Sequence, residues 1–419
     1  MKRHFFSGST QVRRIMAALT AGFCLSGAAG PSLADQRIMV VSDLHYLAPA
    51  LYQDRDLLMR VLQNGDGKIT QCGEELLAAL YQEILLEKPD ALIVTGDLTF
   101  NGEKKSHEAL ADWFRTVEKA GVPVWVIPGN HDINSATPVE FTDGAYRRVE
   151  AVSPEEFAEI YKDFLKKGEA GFSYTAEISR DLWVIMTDVS WYQDQAQTFG
   201  VFTSRHAAWL EKALKRAREA GARVITASHH SLLSHTEFSS SSFLMFGHES
   251  MASLARRYGV KLNLSGHLHV QHIARKDGLS DAALGAFCIW PHPFARISVG
   301  RDGVLTYDTA VLQDRFLPDG FQEMSREWFA GITRSKTMAS LRGSDEEIGM
   351  MADYAAKFNL AYFSGTYRKE DPSWTEDPAY ALWKNQQDSP FWKYMELVMN
   401  EAGGDHLHLQ CGLQASPSE

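Results

Sequence analysis

The sequence predicts an α/β layered fold, and three observations carry that reading. Six short apolar runs recur along the chain: 37–43 (RIMVVSD), 91–97 (ALIVTGD), 122–132 (VPVWVIPGNHD), 181–189 (DLWVIMTDV), 222–230 (ARVITASHH) and 260–269 (VKLNLSGHLH). Their length and branched apolar content fit buried strands. Between them, 74–87, 106–120, 154–166, 204–220 and 248–258 carry apolar residues at helical spacing. Strands alternating with helices make a layered α/β domain. Polar residues gather where the apolar runs stop, and loops at strand C-termini are where such folds carry their sites.

Taken in order, the chain opens on a basic segment with Lys2, Arg3, Arg13 and Arg14, followed by an apolar stretch from Ile15 to Ala29. That stretch is short for a membrane span. Ser32 and Ala34 occupy the small-residue positions of a cleavage site, so 1–34 reads as a removed export signal. An N-terminal membrane anchor is the alternative. Arg13-Arg14 is a weak match to a twin-arginine signal. The expected location is exported, periplasmic or extracellular. Residues 35–315 form the main domain. Within it, 301–312 (RDGVLTYDTAVL), with Asp302-Gly303 between β-rich runs, resembles a hairpin. Residues 316–419 look helical and read as a C-terminal helical domain. Trp328, Trp374 and Trp392 in that tail are expected to pack rather than to cage a ligand.

Composition narrows the partners. The chain has 419 residues, 45% hydrophobic and 23% charged, an ordinary globular balance. Its formal charge is −11, and removing the four basic residues of 1–34, which has no acidic ones, takes it to about −15. Nucleic-acid polymers and anionic membranes need a basic footprint, so neither is expected as a main partner. No stable membrane span is expected, and the sequence leaves the oligomeric state open. Cys288 lies in an apolar run and reads as a buried thiol. Cys72 and Cys411 are candidates for one bridge, with two free thiols as the alternative.

Five groups of ligand-type residues follow five of the apolar runs. They are Asp43 and His45, Asp97, Asn130 and His131, His229, and His267 with His269. Singly, each has a bland reading as a cap or a surface residue. Together, all oxygen or imidazole, they fit a dinuclear centre of borderline divalent metals. No cysteine lies among them, against a thiolate zinc site. Gly96, Gly129 and Gly266 each precede a ligand and let backbone crowd the site.

Asp43-x-His45, Gly96-Asp97, Gly129-Asn130-His131-Asp132, His229 and Gly266-His267-x-His269 resemble the full signature of calcineurin-like metallophosphoesterases, in the family's order. The resemblance covers about 37–300. It implies a two-sheet sandwich flanked by helices, with two divalent metals (Fe, Mn or Zn) at the strand ends. It also implies the roles. Asp43, His45 and His269 would hold the first metal, Asp97 would bridge, and Asn130, His229 and His267 would hold the second. His131 would assist the leaving group. A metal-bound hydroxide would then attack a small phosphoester.

Departures from related patterns point to a branch. The stretch "GDLTFNG" lacks the Arg that protein phosphatases place after Gly-Asp, and Phe100 stands where purple acid phosphatases have an iron-binding Tyr. "GDLT", "GEKKSH" and "SGHLHVQH" look like exported bacterial class III cyclic nucleotide phosphodiesterases with a helical C-terminal domain. The expected substrate is therefore a phosphodiester, with an exported phosphomonoesterase or nucleotidase as the alternative. A non-catalytic metal- or partner-binding protein of the same fold is the reading from another class.

Other polar clusters are set aside. "NGDGKIT" (64–70) imitates a calcium loop, but Leu62 and Gly73 fall where carboxylate-type ligands belong, so it reads as a polar insertion near the site mouth. His230, His235 and His248 read as polar surface residues, with contact to substrate as the alternative, His272 as a partner behind the metal ligands, and His406 and His408 as solvated. Arg334, Arg342 and Arg368 are the tail cations that could fold over the site.

Overall fold

The computed structural model describes residues 35–413, apart from 143, 167, 169, 237–242 and 402. The export signal read at 1–34 lies outside the described residues.

Two six-stranded sheets build the body. The first runs in the order β14-β13-β12-β1-β2-β3. Here β1 is Gln36–Val41, β2 Ala91–Val94, β3 Val124–Val126, β12 Pro293–Val299, β13 Val304–Val311 and β14 His408–Gly412. The pairs β1–β2 and β2–β3 are parallel, and the rest are antiparallel. The second sheet runs β10-β11-β9-β8-β7-β6. Its strands are β6 Tyr174–Glu177, β7 Leu182–Thr187, β8 Arg223–Ser228, β9 Leu262–Ser265, β10 His272–Lys276 and β11 Leu279–Ala283. There β7, β8, β9 and β11 are mutually parallel neighbours. A separate hairpin joins β4 (Val139–Thr142) to β5 (Ala145–Arg148).

One core cluster joins Ile38, Val40, Leu92 and Val94 of the first sheet to Val184, Ile225 and Leu264 of the second. The sheets therefore face each other. β7 shows why these runs read as continuously apolar. Leu182, Val184 and Met186 point into that core, while Ile185 packs with Leu210 and Leu214 of the helix Ser204–Glu219 on the other face. Strands covered on both sides carry no polar alternation. The helix Lys104–Lys119 buries His107, Leu110, Ala111, Phe114 and Val117, one stripe at helical spacing. The expected hairpin is present, with Asp302-Gly303 in the turn between β12 and β13.

One expectation needs correction and one open alternative is resolved. The tail is not wholly helical. After the helices Phe321–Met338, Asp345–Phe363 and Pro390–Asn400 it returns as β14, the edge strand of the first sheet against β13. Of the two readings of the cysteines, the free thiols hold among the described residues: Cys72, Cys288 and Cys411 form no bridge. Cys72 is buried in the main core, and Cys411 sits on β14, packed against that core from the edge.

The tail packs on the body through two patches. Leu268, Val270 and Ala283 meet Met351, Tyr354, Phe358 and Trp383. Ala286, Cys288 and Ile289 meet Phe329, Ala330 and Leu360. Trp374 and Trp392 are buried in the first of these clusters, as packing residues. Among the described residues, no helix is long and apolar enough to cross a membrane.

Candidate metal centre

Each of these residues lies one to five positions beyond the C-terminal end of a strand. Asp43 and His45 follow β1, Asp97 follows β2, Asn130 and His131 follow β3, His229 follows β8, and His267 and His269 follow β9. Because β1, β2 and β3 run parallel in one sheet and β8 and β9 in the other, all five loops emerge at one end of the sandwich. The chain turns sharply there. Asp43, His45, Asp97, His267 and His269 take positive φ values of 53°, 40°, 49°, 65° and 58°. A non-glycine residue held this way costs on the order of 1–3 kcal/mol, and such strain persists where surrounding contacts over-determine it. Here Asp43 N–H donates to Gly96 O and His45 N–H to Asp97 O, both at 3.0 Å. Close approach explains two glycines: a Cβ on Gly129 or on Gly266 would collide with the carboxylate of Asp97 or of Asp43.

The side chains form two groups that share Asp97. Ligand atoms of Asp43, His45, Asp97 and His269 lie within 4.8 Å of one another, and so do those of Asp97, His229 and His267. In the first group, His269 Nε2 is 3.1 Å from His45 Nε2 and 3.4 Å from Asp43 Oδ1, and His45 Nε2 is 3.6 Å from Asp97 Oδ2. In the second, His229 Nε2 is 3.4 Å from Asp97 Oδ1 and 3.1 Å from Asn130 Oδ1. His267 N–H donates to both oxygens of Asp43, at 3.2 and 3.1 Å. His131 stands beside the pair, 30% exposed, with Nε2 4.0 Å from Asp97 Oδ2. Its Nδ1 faces Phe100 O at 2.9 Å and Asn101 Oδ1 at 3.0 Å.

This donor set fits cations. His229 Nδ1–H donates to Thr95 O at 2.9 Å, which leaves a lone pair on Nε2. That lone pair faces two oxygens, Asp97 Oδ1 and Asn130 Oδ1, with no donor between them. The chain without metal answers with protons. Burial opposes charge on His229 and His269, yet Asp97 lifts His229 to about 9, and Asp43 with Asp66 lifts His269 to about 9. Burial would also raise Asp97, but His229 and His131 beside it hold its carboxyl well below the usual range. A carboxylate that stays ionised while buried, ringed by imidazole nitrogens, suits divalent ions.

All seven expected ligands and His131 are thus brought to one place. The other histidines fall elsewhere. His272 does not back the ligands: it meets His235 (Nδ1 to Nδ1, 3.0 Å) and stacks on His406 at 3.8 Å. His406 is therefore packed, while His408 is exposed and pairs with Asp308 at 2.8 Å. His235 is buried against Asp281 at 3.2 Å. His230, also buried, lies 4.3 Å ring to ring from His267 and makes a 3.0 Å contact with Thr198 O. The surface roles expected for His230 and His235 are corrected accordingly, because His230 packs against the loop at Thr198 and Gly200, and His235 against Asp281 and His272 of the second sheet. His248 is half-buried at the start of the helix His248–Arg257.

Three residues at the site were given no role from sequence. Asp132 accepts from Gly129 N (2.7 Å), Leu98 N (3.1 Å) and Thr99 N (3.0 Å), and so ties the loop carrying Asn130 to the loop carrying Asp97. Asp66 and Lys68 arrive from the rejected calcium-like stretch. Asp66 Oδ2 is 3.3 Å from His269 Nδ1, and Lys68 Nζ is 3.1 Å from the same carboxylate oxygen. The "NGDGKIT" segment is indeed a polar insertion at the site.

Comparison with known proteins agrees with this geometry. A probable glycerophosphodiester phosphodiesterase from Arcobacter nitrofigilis is 28% identical over 213 residues, 48% of this chain and 67% of that protein. A probable cyclic nucleotide phosphodiesterase from Synechococcus is 26% identical over 192 residues, 46% of this chain and 62% of that one. The crystal structure of a dimetal phosphatase from Danio rerio superposes with a TM-score of 0.50 at 14% identity, covering 66% of this chain and 96% of that one, a likeness of fold alone. The model of the C-terminal domain of cyclic nucleotide phosphodiesterase matches residues 313–405. The calcineurin-like phosphoesterase model matches residues 36–271, from β1 through the last histidine pair, and the chain belongs to that family of hydrolytic enzymes.

Proposed function

We propose that the protein hydrolyses small phosphodiesters, with cyclic nucleotides or related diesters as leading substrates, using two divalent ions. The observation that carries this reading is the pair of ligand groups sharing Asp97. Asp43, His45 and His269 would hold one ion, Asn130, His229 and His267 the other, and Asp97 would touch both. Bound there, such ions supply Lewis acidity and an activated water. The chain's own residues do the rest. His131 is fixed through Nδ1 by Phe100 O and Asn101 Oδ1, so Nε2 is the atom left to pass a proton to the leaving oxygen. Burial holds the His131 imidazole below its ordinary range, which makes its protonated form a stronger acid.

Charge supports the diester. A phosphomonoester dianion is commonly held by an added cationic clamp. Two of the tail arginines are engaged away from that role: Arg334 by Asp353 (2.6 Å) and Glu327 (3.3 Å), and Arg368 by the carbonyls of Gly365 and Tyr367 (both 2.8 Å). The match to the cyclic nucleotide phosphodiesterase C-terminal domain and the names of the two relatives support the same class. If 1–34 is an export signal, diesters outside the cytoplasm, such as 2′,3′-cyclic nucleotides, fit best. Lys68 favours the second reading, a phosphomonoesterase, because it brings an ammonium to the site; its charge, however, is matched by Asp66 at 3.1 Å. The test compares kcat/KM on bis(p-nitrophenyl) phosphate and p-nitrophenyl phosphate at one metal loading. A preference for the diester is expected, and a clear preference for the monoester selects the second reading.

A further inference from the structure

We propose that Asp66 is a positioning residue for His269, and that the C-terminal region tunes metal affinity through it. The proposal rests on the metal-centre reading above. His269 aims Nε2 at the first ligand group, 3.4 Å from Asp43 Oδ1 and 3.1 Å from His45 Nε2. Its other nitrogen, Nδ1, lies 3.3 Å from Asp66 Oδ2. A carboxylate accepting the Nδ1–H keeps the lone pair on Nε2 and fixes the plane of the ring. The seven ligands all come from strand ends, whereas Asp66 comes from an insertion, so the family's strand-end framework does not supply it.

The insertion is gripped from two sides. Lys68, its side chain only 11% exposed, holds the Asp66 carboxylate at 3.1 Å. Ile69 is fully buried and its N–H donates to Cys288 O at 2.9 Å. From the tail helix Phe321–Met338, Trp328 Nε1 donates to Lys68 O at 3.2 Å. The next residue, Phe329, presses its ring so close to Gly67, at φ +105°, that a Cβ would not fit. Contacts therefore run without a gap from Trp328 and Phe329 through Gly67 and Lys68 to Asp66 and His269.

The test uses the full chain and zinc alone, titrated against a competing chromophoric chelator. The wild-type chain is expected to bind two ions. In Asp66→Ala, one of the two affinities should fall about ten- to a hundredfold with the other unchanged. Asp66→Asn, which keeps an acceptor, should lose less. Trp328→Phe, which keeps the ring but not the donor, should weaken the same ion. In nitrogen-15 histidine spectra of the zinc-loaded protein, the His269 Nδ1–H signal should vanish in Asp66→Ala and survive in Asp66→Asn, a change that mere loosening of the loop would not produce. Two ions bound by Asp66→Ala at wild-type affinity would overturn the positioning role alone. Unchanged binding by Trp328→Phe would overturn the tail coupling. A wild-type chain that takes up no zinc would overturn the metal-centre reading and this proposal with it.

Discussion

Asp97 has two carboxylate oxygens, and they face different neighbours. Oδ1 lies 3.4 Å from His229 Nε2 and accepts from His131 N–H at 2.9 Å, while Oδ2 lies 3.6 Å from His45 Nε2. One carboxylate thus belongs to both ligand groups, and Asp97→Asn should cost the protein both ions. Metal analysis after gel filtration is expected to find less than one ion per chain; two retained ions would remove the bridging assignment. His131 belongs to neither group. His131→Ala should therefore keep its metal and lose about 10²–10⁴-fold in kcat, the usual worth of a placed proton donor. Paired metal and turnover measurements check this, and a variant that fails only by losing metal would contradict it. At this scale the candidate ligands were legible in the sequence because each is a metal-binding residue type standing directly after an apolar run. Lys68 was not. It reaches the site from residues 64–70, where no strand leads and the residue pattern imitates something else.

Among the elements, strands buried on both faces were the easiest to read, since β2 and β7 announce themselves as nearly unbroken apolar runs. β14 was hidden for the opposite reason: as an edge strand it alternates exposed and half-buried residues, with no apolar run to mark it. Hydrogen bonds between elements leave no periodicity either, and His107 shows it. From the helix Lys104–Lys119 its Nε2 reaches Asp132 O at 2.9 Å, and its Nδ1 meets Tyr161 Oη at 2.8 Å. Burial pushes this imidazole down from 6.5 to about 3. The folded state then binds fewer protons than the unfolded chain between those two values. Its stability should fall as pH drops below about 6.5, by up to about 1.4 kcal/mol per pH unit until about pH 3. His107→Gln removes that proton linkage. The mutant should be the less stable protein at pH 7, with the gap to wild type narrowing at pH 5 in denaturant unfolding. An equal gap at both pH values would mean that His107 does not titrate as its burial requires.

The whole molecule is tied together by its tail. The sequence showed a change of character near 315 and a run of helices beyond it, which is correct as far as it goes. It could not show that the chain comes back, because the return is a pairing between residues about a hundred apart: Leu305 opposite Cys411, Tyr307 opposite Leu409. Nor could it show that Leu268 and Val270, on either side of the candidate ligand His269, are covered by tail residues rather than by the sandwich. These two facts predict what removal of the tail does. A chain ending at 312 would leave the β13 edge open and expose Leu268, Val270, Ala283, Ala286, Cys288 and Ile289. An open edge invites pairing with another chain. Each large apolar side chain returned to water forfeits about 1.5–3 kcal/mol of burial. Loss of Trp328 and Phe329 would free the loop that bears Asp66 as well. The shortened chain is therefore expected to self-associate, to melt at lower temperature than the full chain, and to bind zinc more weakly. Light scattering coupled to size exclusion, a thermal melt and a zinc titration on both chains decide it. A shortened chain that matches the full one in all three would show that the tail is an independent neighbour, and the proposed selectivity for diesters would then have to come from the sandwich alone.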